Sequence, residues 1–341
     1  MVRPVSVAAG CAVLIACVPA GSASAQETVS LRVGDVYPQG HYMAEALVKP
    51  WMDQLKERLG ERVEVSYFPA SQLGKGPDFL SLTQSGAVDV GVIVPPLVPD
   101  KFPLSAVAEL PGSFSEGCEG TRAFWKLARE GVLKEEEFDP NGIHLLLALV
   151  LPPYQLFSSK PVESIESFRG QKIYATGGAK DLTVRAVGAV PIRLATNELY
   201  ESLSRGTIDG GLMGFGTALS YSATEYARYA TTGENFGSGV ITYGIAKPRW
   251  EALPEDVRAA MDELGEKITF DACAAIDASV PQDAAKMKAG GVTLVKLPEA
   301  DRSKVDAAMA GIANQWAAEL DGQGRKGTAV LDAFRSELGG H

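Results

Sequence analysis

Cysteine and histidine are scarce in this chain of 341 residues, which has four of the first and three of the second. No CxxC pair and no Cys/His cluster occurs, so the zinc signature is missing, and His41, His144 and His341 do not stand at metal-ligand spacing. Neither a Gly-x-Ser-x-Gly elbow nor a Walker A loop is present, which leaves acyl transfer and phosphate-loop chemistry without a motif. One G-x-G-x-x-G match, Gly322–Gly327, follows a helical pattern instead of a strand, so the context of a dinucleotide turn fails and a loop is expected. Positive charge is in deficit: 32 Lys and Arg against 42 Asp and Glu give a net charge of −10, which argues against nucleic acid or an anionic membrane as partner. No segment after the first 25 residues is long and apolar enough to span a bilayer. No metal and no cofactor is expected.

What is present suits a folded protein of two domains. Apolar residues make up 46% of the chain, enough for a sizeable core. Met1–Ala25 reads as a leader: Arg3 supplies the positive end, Val5–Val18 the apolar run, and Ala23-Ser24-Ala25 a small-x-small cleavage site. Export to a periplasm is therefore expected. Leu14-Ile15-Ala16-Cys17 also fits a lipoprotein box, which would anchor the chain at Cys17 instead. Cys118 and Cys273 remain in the mature chain, either paired in an oxidising compartment or as two isolated buried thiols.

The most informative stretch runs from Phe168 to Gly216. Lys172–Ala175 is a strand ending in Gly177-Gly178, Asp181–Val187 has helical spacing, and Pro191–Leu194 is extended. Thr196 is expected to cap a helix carrying Leu199, Tyr200 and Leu203, and Ile208-Asp209-Gly210 opens the next strand. Strands joined by helices in this way are most simply parallel, and ligands then sit beyond their carboxyl ends, near Tyr174–Gly178 and Met213–Thr217. The N-terminal part repeats the plan, with strands at Leu31–Val36, Val63–Phe68 and Val88–Val94, and helices at Met43–Leu59 and Asp78–Ser85. Gly86–Gly91 echoes Gly206–Gly211, which suggests two similar α/β lobes. The apolar run His144–Phe157, broken by Pro152-Pro153, is expected to cross between lobes, and Val240–Ala246 to return. Pro254–Lys288 is a long helix, followed by a strand at Val292–Leu297 and helices at Glu299–Leu320 and Ala329–Leu338.

Several side chains stand out against plainer readings. His144 lies in an apolar strand and is expected to be structural; His41 follows the first strand and is either a ligand contact or an exposed loop residue. Glu135–Glu137 reads as a solvated charge run. Glu109, between apolar neighbours, is a site candidate against a capping or surface role. Tyr37, Tyr42, Tyr154, Tyr174, Phe215 and Tyr221 fall near loops and strand ends, where each is a core residue or a ligand contact.

In order and spacing, several stretches together resemble the substrate-binding proteins of TRAP transporters, the C4-dicarboxylate-type family. They are GHYMAEALVKPWMDQL, YFPASQLGKGPDFLSLTQSGAVDVGV, AELPGSF, LFSSKPVESIESFRGQKI and AKPRWEALPEDVRAAM, with Gly206-Thr-Ile-Asp-Gly. The resemblance implies an α/β fold of the two-lobed periplasmic-binding type, with hinge crossovers and a long bridging helix. It places lobe I at 26–150, with part of 215–341 returning to it, lobe II at 151–245, and shared closing elements at 246–341. It implies ligand capture without catalysis and delivery to TRAP-type membrane permease subunits. Carboxylate binders of the family usually carry arginine where this chain has Tyr174, and many carry another where it has Tyr154. A tyrosine cannot supply a charge-assisted fork, so a simple dicarboxylate is not expected as ligand. A neutral or aromatic compound, or a small cation over the rings, fits better. The expected contacts are Tyr37, His41 and Gln72 from lobe I and Tyr154, Tyr174, Met213 and Phe215 from lobe II, with Glu109 or Asp35 as the counter-charge. Arg193 would rescue carboxylate binding from another direction. A two-lobed enzyme or a sensor domain without a permease are the competing classes.

Overall fold

The computed structural model describes residues 1–2 and 28–339. Residues 3–27, which hold most of the expected leader with Cys11 and Cys17, and His341 lie outside the described residues. In chain order the elements are β1 (Val29–Gly34), α1 (Tyr42–Ala46), α2 (Val48–Leu59), β2 (Val63–Phe68), α3 (Phe79–Gln84), β3 (Val90–Ile93), α4 (Gly117–Arg129), β4 (Ile143–Val150) and β5 (Gln155–Ser158). They continue with β6 (Lys172–Ala175), α5 (Ala179–Ala186), β7 (Val190–Arg193), α6 (Leu199–Ser204), β8 (Gly210–Met213), α7 (Phe215–Ser220), β9 (Tyr229–Thr231) and β10 (Val240–Ala246). The chain closes with α8 (Lys247–Glu251), α9 (Glu255–Ala289), β11 (Thr293–Val295), α10 (Glu299–Gly322) and α11 (Gly327–Leu338).

The strands form two sheets, ordered β2-β1-β3-β10-β4 and β11-β9-β5-β8-β6-β7. In the first, β1 pairs parallel with β2 and β3, and β10 pairs antiparallel with β3 and β4. In the second, β6 pairs parallel with β7 and β8, and β5 runs antiparallel to β8 and β9. The run His144–Phe157 crosses as expected, but as two strands in different sheets, because Pro152-Pro153 between them cannot donate to either ladder. Val240–Ala246, expected at the end of the second lobe, is instead an inner strand of the first sheet. The return crossing is residues 232–239, just before it.

The two crossovers are tied to each other. Leu151 N–H donates to the Gly239 carbonyl at 2.9 Å and Tyr154 N–H to the Gly237 carbonyl at 2.8 Å. The third connection is α9, 35 residues long. Its buried stripe of Val257, Ala260, Met261, Leu264, Ile268 and Ala272 packs on α2, α4 and β4, and its far end reaches α7 and β11 of the second lobe. Helix α10 packs on α5 and α11 on α4, so the closing helices also touch both lobes.

Local departures have local causes. The single helix expected over Met43–Leu59 splits at Leu47, because Pro50 in the first turn of α2 has no N–H to offer the Ala46 carbonyl. Glu137, expected in a solvated charge run, is fully buried. Its carboxylate accepts the N–H groups of Leu104 and Ser105 and the Ser105 hydroxyl, the last at 2.6 Å. Burial pushes its carboxyl up to about 7. It thereby anchors the 3-10 segment Leu104–Glu109 that carries Glu109. His144 is structural, stacked on Trp250 at 3.9 Å with Nε2 2.8 Å from Asp262. Gly322–Gly327 joins the end of α10 to the start of α11, so it follows a helix and not a strand.

Candidate functional site

The first lobe contributes the segment that follows β1. Asp35, buried at the strand's carboxyl end, accepts the Tyr37 N–H at 2.9 Å and the hydroxyls of Tyr67 and Tyr243, each at 2.9 Å. These bonds partly offset the burial that raises its carboxyl. They occupy Asp35 as the fastening of the loop, so it is not free to face a ligand. The fastened loop carries Tyr37, His41 and Tyr42. The Tyr37 and His41 rings stack with centroids 4.6 Å apart and an interplanar angle of 15°.

The second lobe contributes the carboxyl ends of β6 and β8. Tyr174 is buried on β6, and its hydroxyl lies 2.7 Å from the Thr196 hydroxyl. Thr196 was expected as a helix cap. In the structure it opens a 3-10 turn, Thr196–Glu198, and the Glu198 carboxylate accepts the Ala195 N–H instead, which frees the Thr196 hydroxyl for Tyr174. Met213 is buried at the end of β8. A methyl group added at Gly211 would collide with the Met213 side chain and lie 3.4 Å from the Tyr174 ring, so glycine there lets both lie on the sheet.

The lobes meet through these groups. The Tyr42 and Thr217 hydroxyls are 3.1 Å apart, and the His41 and Tyr221 rings are 5.4 Å apart. Tyr154, on the first crossover, lies over Gly239 of the second so closely that a methyl there would strike its hydroxyl. Lys180, in the first turn of α5, is buried with Glu109, its Nζ 2.6 Å from Oε1 and 5.9 Å from the Tyr154 ring centre. Sequence reasoning missed Lys180. Its signal was its place three residues past Gly177, in the first turn of a helix at a strand's carboxyl end.

Electrostatically the site is a set of neutral phenols. Burial, the largest cause, raises Tyr37, Tyr42, Tyr154 and Tyr174 well above the ordinary range and Tyr221 to about 12. All five stay protonated and can donate. Neighbouring carboxylates and phenols act in the same direction on most of them; Glu109, for instance, raises Tyr154 and Tyr174. Burial likewise lowers His41 from 6.5 to about 4, so its imidazole is neutral at pH 7. The unfolded chain takes up that proton as pH falls from 6.5 towards 4, and the folded chain does not, so folding stability drops across this window. The thermal midpoint should fall more steeply over pH 6.5 to 4 in the native protein than in His41→Gln, whose side chain does not titrate there. Equal slopes would remove His41 as the cause.

Of the expected contacts, Tyr37, His41, Tyr154, Tyr174 and Met213 are brought to the junction of the lobes. Gln72 is not: it is exposed, although its loop is held to Tyr37 by the Ala70 N–H at 2.8 Å. Arg193 is largely exposed and tied to Asp181, with Nε at 2.8 Å and a terminal nitrogen at 2.6 Å. Glu109 is no free counter-charge, because Lys180 already neutralises it. Phe215 packs edge-on against Phe157 at 6.1 Å and lines, with Tyr42, Gln155, Glu234 and Val280, a cavity of about 440 Å³ between the crossovers and α9. Besides the crossovers, its wall includes Gly214–Gly216, just past the carboxyl end of β8. The strand ends, where the tyrosines and His41 converge, are the better candidate for ligand contact.

Two α/β lobes joined by three connections and closed on an aromatic cleft define a solute-binding protein of the periplasmic-binding class. The sequence matches the model of DctP, bacterial extracellular solute-binding protein, family 7, over residues 33–319, and the chain belongs to that family. It is 23% identical to the outer membrane transporter protein TsaT of Comamonas testosteroni over 96% of each chain. It is 27% identical to the C4-dicarboxylate-binding periplasmic protein DctP of Rhodobacter capsulatus, over 59% of this chain and 60% of that one. A TRAP periplasmic solute-binding protein from Bordetella bronchiseptica, solved with bound (R)- and (S)-mandelate, superposes with a TM-score of 0.81 at 26% identity, covering 91% of this chain and 98% of the other. The α/β two-lobed fold expected from the resemblance is thus the fold observed.

Proposed function

We propose that this chain captures a small aromatic compound carrying at most one negative charge between its lobes and delivers it to the membrane subunits of a TRAP-type transporter. On this reading Met1–Ala25 is an export leader, the mature protein works outside the cytoplasm, and no chemistry is done on the ligand. Among the described residues no helix is long and apolar enough to cross a membrane, which fits a carrier that meets its permease from outside.

The observation that carries the reading is the pairing of charges. At the junction of the lobes Lys180 is neutralised by Glu109, and Arg193, exposed on the second lobe, is paired with Asp181. With neither cation free, a dicarboxylate would bury two unmatched charges and a monocarboxylate only one, and each costs several kcal/mol, on the order of magnitude for buried ions. Five phenols and an imidazole instead offer aromatic faces and hydrogen bonds, which suit a ring with a small polar end of at most one charge. The Bordetella bronchiseptica protein binds such a compound, mandelate.

Calorimetry on ligand-free protein tests this. Mandelate should bind, succinate should bind at least tenfold more weakly, and Tyr174→Ala should weaken mandelate by about 10–100-fold, the loss expected when an aromatic anchor is removed. Tight succinate binding that is lost in Arg193→Ala but kept in Tyr174→Phe would overturn the reading.

A further inference from the structure

We propose that His41 sets the polarity of the ligand: it is a neutral hydrogen-bond donor through Nε2, so the ligand presents an acceptor oxygen to it, and a ligand whose polar end only donates, such as an ammonium, is excluded. This rests on the reading of the inter-lobe cleft as the ligand site and narrows the ligand's chemistry within it.

The backbone fixes which nitrogen holds the proton. His41 caps α1, its Nδ1 accepting the Met43 N–H at 3.3 Å. An accepting Nδ1 has a free lone pair, so in the neutral ring the proton is on Nε2. Turning the ring over would set a carbon against the Met43 N–H and lose the cap, which rules out the flipped ring. The tautomer is therefore set within one loop and does not depend on whether the lobes are open or closed.

Among the described residues Nε2 is buried and has no hydrogen-bond partner, while the residue as a whole is only 4% exposed. None of the described groups around it makes a hydrogen bond to Nε2. Asp35 is filled by Tyr37 N–H, Tyr67 and Tyr243, and the Tyr42 hydroxyl is taken up with Thr217. Rings enclose the imidazole: Tyr37 at 4.6 Å, Tyr42 at 4.9 Å and Tyr221, from the other lobe, at 5.4 Å. An N–H buried among rings at the meeting of two lobes is unfavourable unless something accepts from it. A ligand carbonyl, carboxylate or ether oxygen does so. An ammonium places hydrogen against hydrogen, so the small cation that tyrosine faces alone would suit is ruled out here.

The test uses the full chain with mandelate and benzylamine, which share a phenyl ring and differ in polar end. At pH 7 mandelate should bind and benzylamine should not. His41→Phe keeps a ring and removes the donor; it should weaken mandelate by about 10–100-fold, the range for a buried hydrogen-bonding group left unmet. His41→Gln, whose amide N–H₂ can take the place of Nε2, should recover most of that loss. Benzylamine binding more tightly than mandelate would overturn the proposal. So would mandelate affinity unchanged in His41→Phe but lost in Tyr174→Ala, an outcome that leaves the cleft as the ligand site. Affinity unchanged in both variants overturns the proposal and the cleft reading together. A second measurement needs no ligand: the ¹⁵N spectrum of the His41 ring at pH 7 should show the Nε2-protonated tautomer, and an Nδ1-protonated or charged ring would sink the proposal.

Discussion

Replacing Lys180 with methionine is expected to cost about 3–5 kcal/mol of folding stability, the penalty for stranding a buried charge, and adding Glu109→Gln should recover most of it. Both side chains are only 2% exposed. Burial pushes the Glu109 carboxyl up, and Lys180 and the Val240 N–H pull it back. Removing the ammonium leaves that carboxylate with one long bond from Val240, at 3.4 Å. Removing both charges leaves a neutral amide among apolar groups. The pair also joins the 3-10 segment beside the first sheet to a helix of the second, so it acts between lobes. Denaturant unfolding of the two single variants and the double variant gives the coupling directly. A coupling near zero, with Lys180→Met as stable as wild type, would show that the pair is not buried in solution.

The bond between Cys118 and Cys273 is the second large contribution. It links the first turn of α4 to the middle of α9, with Cα atoms 5.0 Å apart across a separation of 155 residues. A long loop of this kind stabilises by about 2–4 kcal/mol in the typical case. The same junction has a second fastening, because Asp277 on α9 accepts the Gly117 and Cys118 N–H groups at 2.9 and 2.8 Å and caps α4. The variant with both cysteines changed to alanine should therefore fold, but with a thermal midpoint lower by several degrees. Reductant should bring the wild-type midpoint down to the same value. A midpoint insensitive to both treatments would mean that the bond contributes nothing.

The elements that could be read from the sequence are those whose signals are local. Val63–Phe68 and Lys172–Ala175 are strands at the bounds expected, because alternation or a closing glycine pair marks them. The long α9 shows its periodicity over many turns. What could not be read depends on partners far away in the chain. Glu137 belongs to a run of three glutamates, and nothing nearby in the chain reveals that Leu104 and Ser105 will fill its oxygens. Thr196 has the sequence of a cap, but Tyr174, 22 residues earlier, claims its hydroxyl. Tyr154 and Tyr174 were identifiable because they replace a residue type expected at those positions. Lys180 replaces nothing expected, and its pairing with Glu109 spans 71 residues; it becomes visible only when the two lobes are placed together. The pairing of Cys118 with Cys273 was open for the same reason.

The order of strands in the first sheet has a consequence for biogenesis. Strand β10 sits between β3 and β4, antiparallel to both, and is made only after the strands β5 to β9 of the other sheet. Until residue 246 exists, β3 and β4 each have an open edge. The second sheet waits in turn for β11, which follows α9. Neither lobe is a contiguous piece of chain, so a fragment ending near residue 150 has two unfinished edges and a tendency to aggregate. Long-range pairing of this kind also makes folding slow. The native pairing of the first sheet is therefore complete only when about three quarters of the chain is available.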